Sequence, residues 1–79
     1  MAGVRILRAV SDTSANSSLI GQVGYLSLPV SPGRPGEVML SVRGGTEAFA
    51  AWSDEPIPKH TRVVVVEDRS GRSVTVTPF

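Results

Sequence analysis

From position 37 to 43 a wholly apolar set of side chains alternates with a mixed set. Val38, Leu40 and Val42 fall on one side of an extended chain, and Met39, Ser41 and Arg43 fall on the other. The same period recurs near the end, where Val74 and Val76 alternate with Ser73, Thr75 and Thr77. Between these runs the sequence Val63-Val64-Val65-Val66 is too β-branched to favour a helix. Further apolar runs lie at 22–30, where Pro29, Pro32 and Pro35 mark the end and turn, and at 46–52. Gly, Pro and Asp clusters separate all of these, and no window carries an i, i+3, i+4, i+7 stripe. The pattern predicts five short strands, at 22–30, 37–43, 46–52, 62–68 and 72–77, and no long helix.

Two turns set the expected geometry. Gly44-Gly45 lies between the second and third runs, and two glycines supply the positive φ angles of a two-residue hairpin. That turn places Leu40 opposite Phe49 and Val38 opposite Ala51 on one face, and Met39 opposite Ala50 and Glu37 opposite Trp52 on the other. The first face reads as core, leaving Trp52 as the large aromatic expected to be partly exposed. Val63, Val65, Val74 and Val76 join Val38, Leu40 and Phe49 in the expected core. At 57–61, Ile57 is expected to tuck into one end of the structure while Lys59-His60 reverses the chain.

Length changes the picture by limiting it to one domain. A chain of 79 residues buries only ~60% of the surface its unfolded form exposes, so a closed β-structure or a covering partner is favoured. Residues 11–18 hold no large apolar side chain and read as a flexible linker, which divides the chain into an N-terminal arm at 1–18 and a domain at 19–79. Arg5 and Arg8 interrupt the only apolar run in the arm, so it reads as neither a signal peptide nor a spanning helix, and the expectation is a soluble chain.

Charge and residue chemistry then narrow the function classes. Eight basic side chains against seven acidic ones give no bias toward nucleic acid or membrane. The absence of cysteine removes disulfides, thiolate metal sites and cysteine nucleophiles. His60 could act as a general base oriented by Asp54 or Glu55, but a base without a nucleophile or oxyanion donor makes no site. The alternative is a turn position, since His is among the few non-glycine residues that tolerate left-handed φ. Asp54-Glu55 and Glu67-Asp68 are adjacent pairs, so on a strand their carboxylates diverge. No phosphate loop, nucleophile elbow or metal-ligand cluster is visible, so no catalytic residue and no cofactor is expected. Nucleic-acid binding would need aromatics interleaved with a basic groove, whereas Arg34, Arg43, Arg62, Arg69 and Arg72 are scattered. The remaining candidate is a protein contact. Trp52, with Met39 and Ala50, forms a small apolar patch rimmed by Glu37, Arg43 and Asp54, and Trp52, Met39 and Arg43 are its expected contact residues.

Several segments, taken in order, carry a family resemblance. Leu19-Ile20-Gly21-Gln22-Val23-Gly24 is similar to an opening Leu-hydrophobic-Gly-x-x-Gly strand, and Gly36-Glu37-Val38 to a Gly-x-Val start of the second strand. Ile57-Pro58-Lys59, then Thr61-Arg62-Val63, resembles an Ile-x-x-Gly-Thr-x-Val turn and strand, with His60 where glycine is usual. Val74-Thr75-Val76-Thr77-Pro78-Phe79 resembles a closing Val-x-Pro-hydrophobic strand. Together they resemble the C-terminal soluble domain of the NfeD-like family. The resemblance implies an all-β, five-stranded OB-fold (Greek-key) β-barrel over 19–79, closed between its first and fourth strands. It further implies a non-catalytic interaction domain acting with stomatin/flotillin-type (SPFH) membrane-scaffold proteins, cytoplasmic and at the membrane surface. An OB-type nucleic-acid-binding module and an accessory domain of a membrane-bound protease system are the alternatives. Family members generally carry transmembrane helices before this domain. The expectation is therefore a soluble portion of a membrane protein or a short stand-alone form, with 1–18 as a juxtamembrane connector.

Overall fold

The computed structural model describes residues 19–79, and the expected arm at 1–18 lies outside the described residues. The strands are β1 (Val23–Leu28), β2 (Gly36–Val42), β3 (Gly45–Trp52), β4 (Arg62–Ser70) and β5 (Ser73–Pro78). They close into a barrel in the order β1-β2-β3-β5-β4. The β1–β4 pairing closes it as expected, and β3–β5 is the parallel pairing among otherwise antiparallel ones. Among the described residues no helix is long and apolar enough to cross a membrane.

Alternation decides the interior. Leu26, Val38, Leu40, Phe49, Ala51, Val63, Val65, Val74 and Val76 point inward from the strands and are buried. All seven expected core residues are among them. Ile57 also lies where the sequence places it, plugging one end against Val30, and the two residues exchange backbone hydrogen bonds of 2.9 Å in each direction. Burying a Val, Leu, Ile or Phe side chain is worth about 1.5–3 kcal/mol, and a domain this small depends on all of them. Gly24 lets β1 approach β2 closely. A Cβ at that position would lie 2.3 Å from the Met39 carbonyl oxygen and 2.8 Å from the Leu40 side chain.

The β2–β3 hairpin differs from the expected register. Its turn is Arg43-Gly44, with φ of 48° and 80°, rather than Gly44-Gly45. Val42 therefore pairs with Gly45, Leu40 with Glu47, Val38 with Phe49 and Gly36 with Ala51. Met39 lies opposite Ala48 and Glu37 opposite Ala50, while Trp52 extends past the start of β2. Moving the turn by one residue moves every pairing by two, so each side chain keeps its face and the core assignment survives. Two left-handed positions are needed in either case. Giving the first to Arg43 brings Glu47 to the barrel end, where it forms a 2.8 Å ion pair with Arg72.

Two-residue turn geometry recurs at the β4–β5 tip, where Gly71 and Arg72 have φ of 60° and 59°. β4 runs two residues beyond its expected end because bulges at Val65/Glu67 and Asp68/Ser70 keep it paired with β5 while it bends.

Candidate interaction surface

His60 performs a backbone role. Its φ is 72°, the left-handed value expected of a turn, and its N–H donates to the Leu26 carbonyl at 2.8 Å. The side chain is exposed, as are Asp54 and Glu55. The neighbouring carboxylates diverge. Glu67 accepts a hydrogen bond from the Thr75 hydroxyl at 2.8 Å, whereas Asp68 accepts from the Ser70 backbone N–H at 2.9 Å and supports the bulge. Among the described residues no group of three His, Cys, Asp or Glu side chains could hold a metal ion.

The expected contact residues Trp52, Met39 and Arg43 are spread along the β2–β3 hairpin. Trp52 stands at the far end of β3 from the turn that contains Arg43, a separation of roughly 20 Å at ~3.3 Å per residue. Met39 lies between them, diagonal to Ala50. Arg43 thus belongs to the hairpin tip and does not rim the tryptophan. Trp52 itself is half-buried, and its ring is covered by the Arg69 guanidinium, 4.7 Å from the ring centroid. Trp52 pairs with Thr75, which pairs in turn with Glu67, so this side of the barrel is a set of mutually engaged side chains. Glu37, on the same side, accepts a 2.6 Å hydrogen bond from the Ser27 hydroxyl.

The exposed aromatics are on the other side. Tyr25 is 56% and Phe79 72% exposed. Register places them in one row, because Met39 pairs with Tyr25, Tyr25 with Arg62, and the Phe79 N–H donates to the Arg62 carbonyl at 3.0 Å. Directly paired residues point to the same face, so Met39, Tyr25, Arg62 and Phe79 stand side by side on the outer surface. The adjacent row is Val23, Val64 and Thr77, and exposed Val66 is the extra residue of the β4 bulge. This face was not visible in the sequence. Alternation exposes Val23 and Tyr25, but only the β1–β4–β5 register sets Arg62 and Phe79 beside them.

The barrel end opposite the Ile57 plug is more open. Leu19, Ile20 and Phe49 floor a cleft with Asp68, Ser70, Gly71 and Arg72 at its rim. The Arg72 guanidinium lies 5.6 Å from the Phe49 ring centroid while pairing with Glu47.

Comparison with known proteins places this barrel. The solution structure of the soluble domain of the NfeD protein YuaF from Bacillus subtilis is similar at 31% identity and TM-score 0.64, covering 84% of this chain and 88% of that one. The C-terminal domain of stomatin operon partner protein 1510-C from Pyrococcus horikoshii is similar at 30% identity and TM-score 0.58, covering 81% and 92%. A third structure shares the fold at 21% identity and TM-score 0.64, covering 80% and 95%: the soluble domain of a membrane protein implicated in regulation of membrane protease activity, from Corynebacterium glutamicum. No curated protein matches in sequence. Residues 23–77, from the start of β1 to the penultimate residue of β5, match the NfeD C-terminal domain family, and the chain belongs to that family.

Proposed function

We propose that this domain is a non-catalytic protein-interaction module that works with a stomatin- or flotillin-type (SPFH) scaffold protein, on the cytoplasmic side at the membrane surface. The observation that carries this reading is the 30% identity to a protein described as a stomatin operon partner, along nearly the full length of that domain. The surface chemistry supports it: Glu37, Glu67 and Asp68 are engaged with hydroxyls and a backbone amide and Glu47 with Arg72, while Tyr25 and Phe79 stand exposed.

Oligonucleotide binding has less support. The outer face of β2 and β3, which OB-folds use for oligonucleotides, carries Glu37, Ala48 and Ala50, and its one aromatic, Trp52, already lies under Arg69. Affinity purification of the tagged chain from its own cells, with nuclease treatment, tests the reading. Recovery of an SPFH protein insensitive to nuclease is expected. Recovery of nucleic-acid machinery that vanishes with nuclease would contradict it.

A further inference from the structure

We infer that the row Met39–Tyr25–Arg62–Phe79 is the centre of the docking surface, and that its partner is a protein presenting an apolar face with a carboxylate opposite Arg62. This rests on the interaction-module reading and names the surface it uses.

The composition of the row is the first support. Tyr, Phe, Met and Arg are the residue types enriched in the desolvated centres of protein interfaces, and here register sets all four in one line. The second support is the charge pattern. Among the described residues Arg62 has no side-chain hydrogen bond or ion pair, like Arg34 and Arg43 in the connecting turns, whereas Arg72 is paired with Glu47 and Arg69 rests on Trp52. Its strand neighbours across the row are Tyr25 and Phe79, and the adjacent row of Val23, Val64 and Thr77 carries no charge. A planar guanidinium between two exposed rings offers a two-pronged site for one carboxylate.

The same pattern selects among occupants. A second copy docking about a two-fold axis at Arg62 would set Arg62 against Arg62 in a desolvated contact, which opposes association at the centre of the row. An anionic bilayer or a nucleic-acid backbone draws affinity from several cations, at about 1 kcal/mol per Lys or Arg for a membrane. This face supplies one cation among apolar side chains. A protein surface with a single carboxylate within an apolar patch matches it.

The test is calorimetric titration of the 79-residue chain with an SPFH-domain protein from the same cells, using Arg62→Glu, Arg62→Lys, Tyr25→Ala and Trp52→Ala. All three side chains point outward, and a single cooperative melting transition checks each fold. Arg62→Glu and Tyr25→Ala are expected to weaken binding about tenfold or more, Arg62→Lys less, and Trp52→Ala by less than about twofold. Wild-type binding that Arg62→Glu and Tyr25→Ala leave intact would overturn this surface while the interaction reading stands. Failure of the wild type to bind would overturn both. Loss on Arg62→Glu of binding to phosphatidylserine vesicles, or of a dimer seen by sedimentation, with SPFH binding unchanged, would overturn the protein-partner assignment in favour of lipid or a second copy.

Discussion

The two outer faces of the barrel share β2 yet differ in how far their side chains already satisfy one another. On the side formed by β2, β3 and β5, Trp52 lies under Arg69, Thr75 donates to Glu67, Ser27 donates to Glu37, and the intervening positions are Ala48 and Ala50. On the side formed by β1, β4 and the end of β5, Tyr25, Val66 and Phe79 are each at least half exposed and Arg62 is unpaired among the described residues. A tryptophan beside charged residues reads in sequence as the better contact. The proposed docking surface reverses that ranking, because a ring already covered by a guanidinium offers less surface to a partner than an open row of aromatics. What marks a surface for binding is the absence of internal partners, which residue types alone do not reveal.

The comparison can be broken most severely from beneath, since both faces hang on one core. Phe49→Ala removes the inward aromatic of β3 and should cost about 3–5 kcal/mol, enough to unfold much of so small a domain. An unchanged thermal midpoint would contradict the core assignment. Gly24→Ala should cost about 1–3 kcal/mol, because its Cβ would meet the Met39 backbone and force apart the strands that carry Tyr25 and Met39. Urea denaturation measures this, and loss of SPFH binding should track the fraction unfolded. The two faces then separate at the surface. Tyr25→Ala should leave stability within about 0.5 kcal/mol while reducing partner affinity. Trp52→Ala should do the reverse, losing about 1 kcal/mol of stability through the Arg69 contact and partial burial with affinity preserved. Smallest of all, Glu47→Ala removes an ion pair whose side chains are 62% and 45% exposed. It should shift stability by less than about 1 kcal/mol, with any effect vanishing at high salt.

The sequence made the barrel legible because period-two alternation and β-branched runs leave few options, and because a Pro-, Gly- and Asp-rich break stands between most runs. His60 was legible for a related reason, as few residue types occupy a left-handed turn. The β2–β3 register was not. Gly44-Gly45 is the locally cheaper turn, because glycine takes positive φ without the steric cost that Arg43 bears at 48°. The choice is made beyond the turn, by how β2, β3 and β5 pair in the closed barrel. The Tyr25 row was hidden for a stronger reason. Its members come from β1, β2, β4 and the residue that follows β5, and only the closure of β1 on β4 and of β4 on β5 aligns them. Arg43, by contrast, shares a strand face with Met39 in either register, which suggests the patch, but it sits at the hairpin tip far from Trp52.

The most direct test of the preference for the β1–β4 face is a titration of the isotopically labelled chain with unlabelled SPFH-domain protein, followed by backbone amide NMR. Perturbations should concentrate at Val23 to Ser27, Met39, Arg62 to Val64 and Phe79, leaving Trp52, Ser73 and Thr75 in place. Shifts confined to Trp52, Thr75 and Arg69, with Tyr25 and Arg62 unmoved, would contradict the account.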